Sequence, residues 1–160
     1  VHYLDEWAFD DPAQEPHWHD VGVDSVWRRY FEVWCQAASC TDMPFTCMAH
    51  PDLVKKFGYR PSFNPQALYD EAAEAVQSSG RMVEVNTSGL TYPCAELFPA
   101  PDLLRTFCRA GIPCSIGTDA HEPALVDRNL MPGLAAMYDA GYRCVTVPTP
   151  TGDRRQIALE

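Results

Sequence analysis

Three short apolar segments of this sequence each end on side chains that bind metal ions. His2 ends the first segment, His50 ends the second, and Asp119 and His121 follow the third. Imidazole and carboxylate ligands together favour zinc, manganese or iron, and several of them in one pocket are typical of hydrolytic sites. Because Asp119 and His121 are two residues apart, they point the same way on an extended chain and could bind neighbouring ions.

The elements that carry these side chains alternate between strand and helix. Apolar runs predict strands near residues 1–4, 45–49, 82–85, 114–116 and 142–147, and helical spacing predicts helices near 24–37, 64–80, 102–110 and 127–140. This order favours parallel strands joined by helical crossovers. Active sites of such folds are assembled at the carboxyl ends of the strands, so we expect the four ligands at one edge of the sheet. A doubly wound sheet and part of a β/α barrel both fit the order.

Several residues indicate where the elements begin and end within a single domain of residues 1–160. Asp24 is the expected N-cap of the first helix, Asn64 is the expected cap of the second, and Gly80 is expected to end it. The Pro- and Asp-rich segment 8–23 is predicted to be a loop. Residues 149–160 are polar and are predicted to form a flexible tail.

The composition excludes some classes of partner. The chain has 160 residues, of which 46% are apolar and 21% charged, as in ordinary globular domains. Its formal net charge of -10 argues against a nucleic-acid backbone or an anionic membrane as partner. A small phosphate ester remains a suitable ligand, since bound metal ions can reverse the local field.

The cysteines and the first residues of the chain indicate the cellular compartment in which the protein works. Seven cysteines occur without any C-x-x-C pair, which predicts reduced thiols in a cytoplasmic protein rather than a disulfide framework. No apolar run approaches the ~20 residues of a membrane span. The first residues, VHYLDEW, are unlike a signal peptide. Since they lack an initiator Met and begin within a predicted strand, we expect a preceding segment to be missing.

Four motifs resemble those of one protein family. GTDAH at 117–121 is similar to the G-[ST]-D-A-H signature of phosphatases of the polymerase-and-histidinol-phosphatase (PHP) superfamily. AHPDLVKKFG at 49–58, EVNTSGL at 84–90 and VHYLDEW at 1–7 resemble three further family motifs, and all four stand in family order. The resemblance extends to about Pro148, and histidinol-phosphatase is the most similar subfamily.

The resemblance implies a fold and a metal site. The fold would be an incomplete, distorted (β/α)7 barrel with parallel strands, lacking roughly 90–100 residues of a barrel of about 250. The site would hold up to three divalent ions of zinc, manganese or iron. By resemblance, His2 and His50 bind one ion, Asp119 a second and His121 a third, with Asp119 and His121 acting in catalysis. The reaction would be hydrolysis of histidinol phosphate in histidine biosynthesis, by in-line attack of metal-activated water on phosphorus.

The resemblance also implies substrate-binding residues. Lys55 or Lys56 matches a basic position that holds the phosphate, and Asn86 and Ser88 would line the pocket beside it. Thr91 stands where the family commonly has an Arg that grips phosphate bidentately. This departure puts the substrate's identity in question.

Other interpretations of the same sequence stay open. His17-Trp18-His19 has the form of the family's first H-x-H pair, but it lies in a predicted loop, and we interpret it as a solvated loop or lid. Glu84 could pair with a cation on its strand, while Asp10, Asp11 and Asp20 are expected to be solvated carboxylates. A catalytically inactive fragment and a binding module on the same scaffold are the alternatives to an enzyme. A polymerase-type exonuclease is disfavoured because the chain is acidic and lacks interleaved basic and aromatic residues.

Overall fold

The computed structural model describes residues 1–159 as a mixed α/β fold. Its strands are β1 (Tyr3–Leu4), β2 (Trp7–Ala8), β3 (Cys47–Met48), β4 (Met82–Asn86), β5 (Cys114–Gly117), β6 (Cys144–Pro148) and β7 (Arg154–Ala158). Its helices are α1 (His17–Val21), α2 (Val23–Ser39), α3 (Gln66–Ser79), α4 (Pro101–Arg109) and α5 (Leu130–Ala140). Among these residues, no helix is both long and apolar enough to cross a membrane.

A parallel sheet of three strands, in the order β3-β4-β5, forms the centre of the fold. β4 pairs on both edges, so that Met48 lies opposite Val83 and Val85 lies opposite Ile116. Met82, Val83 and Val85 of β4 and Cys114 of β5 are fully buried, as expected of parallel strands that are covered on both faces. The parallel α/β arrangement is therefore confirmed.

Five parallel strands were predicted, and in this respect the prediction is wrong. The first strand, β1, forms an antiparallel hairpin with β2, and the last two strands, β6 and β7, pair antiparallel with one another. Asp5 adopts a left-handed conformation with φ 56°, which allows the tight turn between β1 and β2. Two hairpins and a three-stranded sheet do not amount to a barrel, and an incomplete (β/α)7 barrel is not confirmed.

The predicted loop 8–23 contains a short helix. His17, Trp18 and His19 lie in α1, and the buried indole of Trp18 donates a hydrogen bond to the carbonyl oxygen of Phe9 at 2.8 Å. The large apolar surface of Trp18 explains why this polar segment folds against the core. Gly22, at φ 86°, separates α1 from α2, because only glycine takes this conformation without strain.

Two of the three helix-end predictions are consistent with the structure. The side chain of Asn64 accepts a hydrogen bond from the Gln66 amide at 3.0 Å at the start of α3, and Gly80 ends that helix at φ 67°. Asp24 is not an N-cap, because it lies within α2 and accepts hydrogen bonds from the amide and hydroxyl of Ser62 at 2.7 and 2.5 Å. It joins α2 to the segment that precedes α3.

The core lies between the central sheet and α2, α3 and α4. α2 buries Val26, Tyr30 and Trp34 at helical spacing, as the sequence predicted. Trp34 stacks on Phe107 of α4 with ring centroids 6.1 Å apart, which joins two helices across the core. The seven cysteines are free thiols, in agreement with the expectation of no disulfide framework.

A strand, β7, lies within the segment 149–160 that was predicted to be a flexible tail. Residues 154–158 form β7 and pair with β6 in a regular antiparallel register. Gly152, at φ 88°, supplies the left-handed residue of the connecting turn, and the Thr149 amide donates to the carbonyl of Asp153 at 2.9 Å. Backbone pairing of this kind depends little on side-chain polarity, so the polar composition did not predict this strand.

Candidate functional site

His2 and His50 come together beside the carboxyl edge of the parallel sheet. His50 follows β3, His2 precedes β1, and their rings meet edge to face with centroids 4.8 Å apart. His50 has φ 31°, and its backbone amide donates a hydrogen bond to Oε2 of Glu84 at 3.1 Å. The turn after β3 is thereby fixed to the neighbouring strand, which orients the imidazole of His50.

The imidazole of His50 is neutral and has a nitrogen available for binding. Burial lowers the pKa of His50 to about 4, and the Asp119 carboxylate opposes this shift. The Nδ1 atom of His50 is buried and has no hydrogen-bond partner within the described structure. A buried polar atom without a partner destabilises the fold by roughly 1–3 kcal/mol, so a ligand bound to this atom would remove that free-energy penalty.

Glu84 lies at the centre of the site, on the middle strand β4. Its Oε2 atom accepts hydrogen bonds from the backbone amide of His50 and from the side-chain amide of Asn86, at 3.1 and 3.0 Å. Gly117 of β5 lies directly beside it, and a Cβ atom there would be 2.2 Å from Oε1. From its sequence position, Glu84 was expected only to pair with a cation. The sequence feature that could have indicated its importance is that Glu84 is the single carboxylate in an otherwise buried strand.

Asp119 and His121 lie on the exposed turn after β5. Asp119 adopts a left-handed conformation with φ 53°, and the Nδ1 atom of His121 donates to the carbonyl oxygen of Asp119 at 2.9 Å. That bond fixes one ring nitrogen of His121 and leaves Nε2 to face solvent or a ligand. Non-glycine residues with positive φ cost on the order of 1–3 kcal/mol, and finding two of them, His50 and Asp119, at the carboxyl edge of the sheet is typical of a functional site.

Asp10 was expected to be a solvated carboxylate, but it is largely buried and joins His2 to Lys56. Its Oδ2 atom lies 3.0 Å from Nδ1 of His2 and 3.3 Å from Nζ of Lys56, which also donates to the Asp10 carbonyl at 2.7 Å. Burial acts to raise the pKa of Asp10, but the hydrogen bonds and charges of His2 and Lys56 outweigh it and hold the pKa below its usual range. These three residues line an open cavity of about 540 Å³.

Lys55, in contrast, is enclosed on the other side of the same turn. Its ammonium is 1% exposed and contacts Oδ2 of Asp52 at 3.0 Å, Oε2 of Glu96 at 3.1 Å and the carbonyl oxygen of Leu97 at 2.7 Å. An ammonium has three N–H donors, and here all three have acceptors. Of the two lysines proposed for phosphate, the structure brings only Lys56 to the cavity beside His2.

Asn86 and Ser88 are buried behind the site rather than open to the cavity. The hydroxyl of Ser88 donates to Oδ1 of Asn86 at 2.7 Å, and Nδ2 of Asn86 donates to Glu84. The two residues therefore orient the Glu84 carboxylate. The hydroxyl of Thr91 donates to the Ser88 carbonyl at 2.7 Å and so belongs to the same turn.

The donor set fits part of a metal site. Two neighbouring imidazoles, one held at Nδ1 by a carboxylate, form the pattern by which histidine ligands are oriented toward a metal ion. Within residues 1–159, however, no three His, Cys, Asp or Glu side chains are grouped closely enough to hold an ion. His2 and His50 could supply two ligands of a four-coordinate ion, and the remaining ligands would be water, substrate or other parts of a protein.

The fold and site together define a mixed α/β protein with a histidine and carboxylate cluster at one edge of a parallel sheet. Its sequence is 34% identical over 147 residues to a protein named probable histidinol-phosphatase from Deinococcus radiodurans. The alignment covers 91% of this chain and 55% of the relative, so the chain spans about half the length of the curated protein it matches. No protein-family model matches the sequence.

Proposed function

We propose that this chain is part of a metal-dependent phosphomonoesterase of the PHP superfamily that hydrolyses histidinol phosphate to histidinol and phosphate. The observation that carries the proposal is the pairing of His2 with a neutral His50 whose buried Nδ1 atom has no partner. The similarity to a probable histidinol-phosphatase over 91% of the chain supports this reaction in particular.

The residues of the site have distinct roles in this proposal. His2 and His50 hold a divalent ion, and Asp10 orients the ring of His2 through Nδ1. Asp119 and His121 approach from the next loop and bind further ions or the phosphate oxygens. When bound, the ions lower the pKa of water and stabilise the charge of the transferring phosphoryl group. Glu84 holds the backbone of His50 and thus sets the ring's position.

Lys56 gives the site a cation for the phosphate. Its ammonium lies 4.9 Å from the centroid of the Tyr92 ring and is bonded to Asp10, so it is positioned beside His2 without being buried. A substrate phosphate can exchange with Asp10 for this ammonium, because a lysine behaves as a compact charge with rotatable donors. We therefore assign phosphate contact to Lys56 rather than Lys55.

The proposal is tested by phosphate release from histidinol phosphate with added manganese or zinc. The assay uses this chain and the longest reading frame that encodes it, because the chain spans only part of its relative. We expect turnover from the longer protein and little or none from the 160-residue chain, whose four proposed ligands are few for up to three ions. Asp119→Ala and His121→Ala should abolish turnover in the longer form. Hydrolysis that survives both substitutions would contradict the proposed site.

Metal binding provides a separate test of the histidine pair. Zinc titrated into the chain should bind with an affinity that His50→Ala and His2→Ala each reduce, since each removes one of two imidazole ligands. His19→Ala is the matched control, because His19 is an exposed histidine on α1. Equal zinc affinity in the His50 and His19 variants would contradict the assignment. Zinc binding without hydrolysis in any form would favour the alternative of a binding module.

A further inference from the structure

The segment that follows the Asp119–His121 turn is hydrogen-bonded to residues at the carboxyl edge of the sheet. The hydroxyl of Thr118, the residue after β5, donates to the carbonyl of Val126 at 3.2 Å. The hydroxyl of Thr87, the residue after β4, donates to the carbonyl of Arg128 at 2.7 Å. The backbone of Arg128 is therefore held at the same edge of the sheet as His50 and Asp119.

The guanidinium of Arg128 has a buried N–H without a partner, unlike several other arginines of the chain. Arg29, Arg60 and Arg105 form ion pairs with carboxylates, and the buried Arg81 donates to backbone carbonyls. Arg128 has a buried Nε atom without any hydrogen-bond partner, and its guanidinium forms none of the ion pairs found among residues 1–159. A buried N–H of a cation without an acceptor is costly, so an acceptor is expected to occupy this position in the functional state.

We propose that Arg128 binds the phosphate group of the substrate, an inference that rests on the proposed function. A guanidinium presents planar, paired N–H donors that match two phosphate oxygens, whereas an ammonium acts as a single point charge. Thr91 cannot take this role, since its hydroxyl is already bonded to the Ser88 carbonyl and it carries no charge. Arg128 thus supplies the bidentate anion contact that the sequence around Thr91 lacks.

Inorganic phosphate is the probe that tests this assignment independently of catalysis. Phosphate is titrated into the 160-residue chain at constant ionic strength, and binding is followed by phosphorus or amide NMR. Arg128→Met should weaken phosphate binding by about tenfold or more, because it removes two charge-assisted hydrogen bonds. The phosphate affinity of Arg128→Lys should lie between those of Arg128→Met and the unaltered chain. Lysine keeps the positive charge but loses the paired N–H donors of the guanidinium. Arg105→Met, at an exposed arginine paired with Asp102, is the matched control and should bind as the unaltered chain does.

The outcomes separate this inference from the proposed function. Phosphate affinity that is unchanged in Arg128→Met, or equally reduced in Arg105→Met, overturns the role of Arg128 even if the longer protein hydrolyses histidinol phosphate. The role is likewise overturned if the unaltered chain fails to bind phosphate at millimolar concentration. Loss of binding in Arg128→Met alone supports it even if no hydrolysis is found. Urea unfolding of each variant shows whether it is folded, and Arg128→Lys replaces Arg128→Met if the latter is not.

Discussion

Gly117→Ala should move the carboxylate that organises the candidate site. The added Cβ atom would lie 2.2 Å from Oε1 of Glu84, and the carboxylate carbon would be 3.0 Å away. Both distances are shorter than a van der Waals contact, so the Glu84 side chain must rotate. It would then lose one or both of its hydrogen bonds, which come from the His50 amide and the Asn86 side chain.

The size of the effect follows from those two bonds. A hydrogen bond to a charged group contributes roughly 1.5–3 kcal/mol, and the lower value suits a half-buried carboxylate. If one bond breaks and the other weakens, the free energy of unfolding should fall by about 2–3 kcal/mol. For a chain of this size, that lowers Tm by roughly 4–12 °C. Alanine in a strand would otherwise stabilise the protein by about 0.4–1 kcal/mol relative to glycine through the unfolded state.

A double-mutant cycle isolates this contact. Urea unfolding is measured for the unaltered chain, Gly117→Ala, Glu84→Ala and the double variant. With Glu84 shortened to alanine the clash disappears, so Gly117→Ala in that background should be neutral or slightly stabilising. The predicted coupling free energy is therefore about 2 kcal/mol or more, well above the few tenths expected of independent sites.

Additive effects would refute this reasoning. If Gly117→Ala destabilises the chain equally with and without the Glu84 carboxylate, then another neighbour is responsible and Glu84 does not determine the need for glycine. A zinc titration of the same variants adds a functional measurement. Gly117→Ala should weaken zinc binding at His2 and His50, because the amide of His50 loses its acceptor.

Two further predictions concern buried ionisable groups. Lys55→Met should lower the free energy of unfolding by about 3–5 kcal/mol, because it leaves the buried Asp52 carboxylate unpaired. Lys56→Met should cost less, because Asp10 is partly exposed and keeps its contact with His2. Burial raises the pKa of Asp52 to about 6. Lys55 lowers this pKa, so in Lys55→Met the carboxyl takes up its proton at a higher pH than in the unaltered chain. The Lys55→Met loss should therefore shrink as the pH falls toward about 6, and urea unfolding at several pH values would show it. Burial, followed by the charges of nearby carboxylates, raises the pKa of Cys35 to about 11 and of Cys47 to about 12, so both thiols should react slowly with iodoacetamide at about pH 8 and rapidly in urea. Equal labelling rates in the folded and unfolded chain, measured by mass spectrometry, would contradict their burial.

The sequence alone predicted the elements whose signal is local. The apolar spacing of α2, the cap at Asn64 and the glycine that ends α3 each depend on neighbours within one or two helical turns. The parallel order of β3, β4 and β5 followed from the alternation of strand and helix. The sequence also predicted that His2, His50, Asp119 and His121 lie at one edge of the sheet, and the structure brings the rings of His2 and His50 into contact.

The partners of each site residue depended on tertiary structure. Lys55 and Lys56 are adjacent and chemically alike, yet one is enclosed by Asp52 and Glu96 while the other faces the cavity beside His2. Nothing local distinguishes them, because the direction of each side chain is set by how the turn after β3 packs against distant segments. Hairpin pairing of β1 with β2 and of β6 with β7 was missed for a related reason. Backbone hydrogen bonds carry no residue-type signal, and so only the packed fold decides which strands become neighbours.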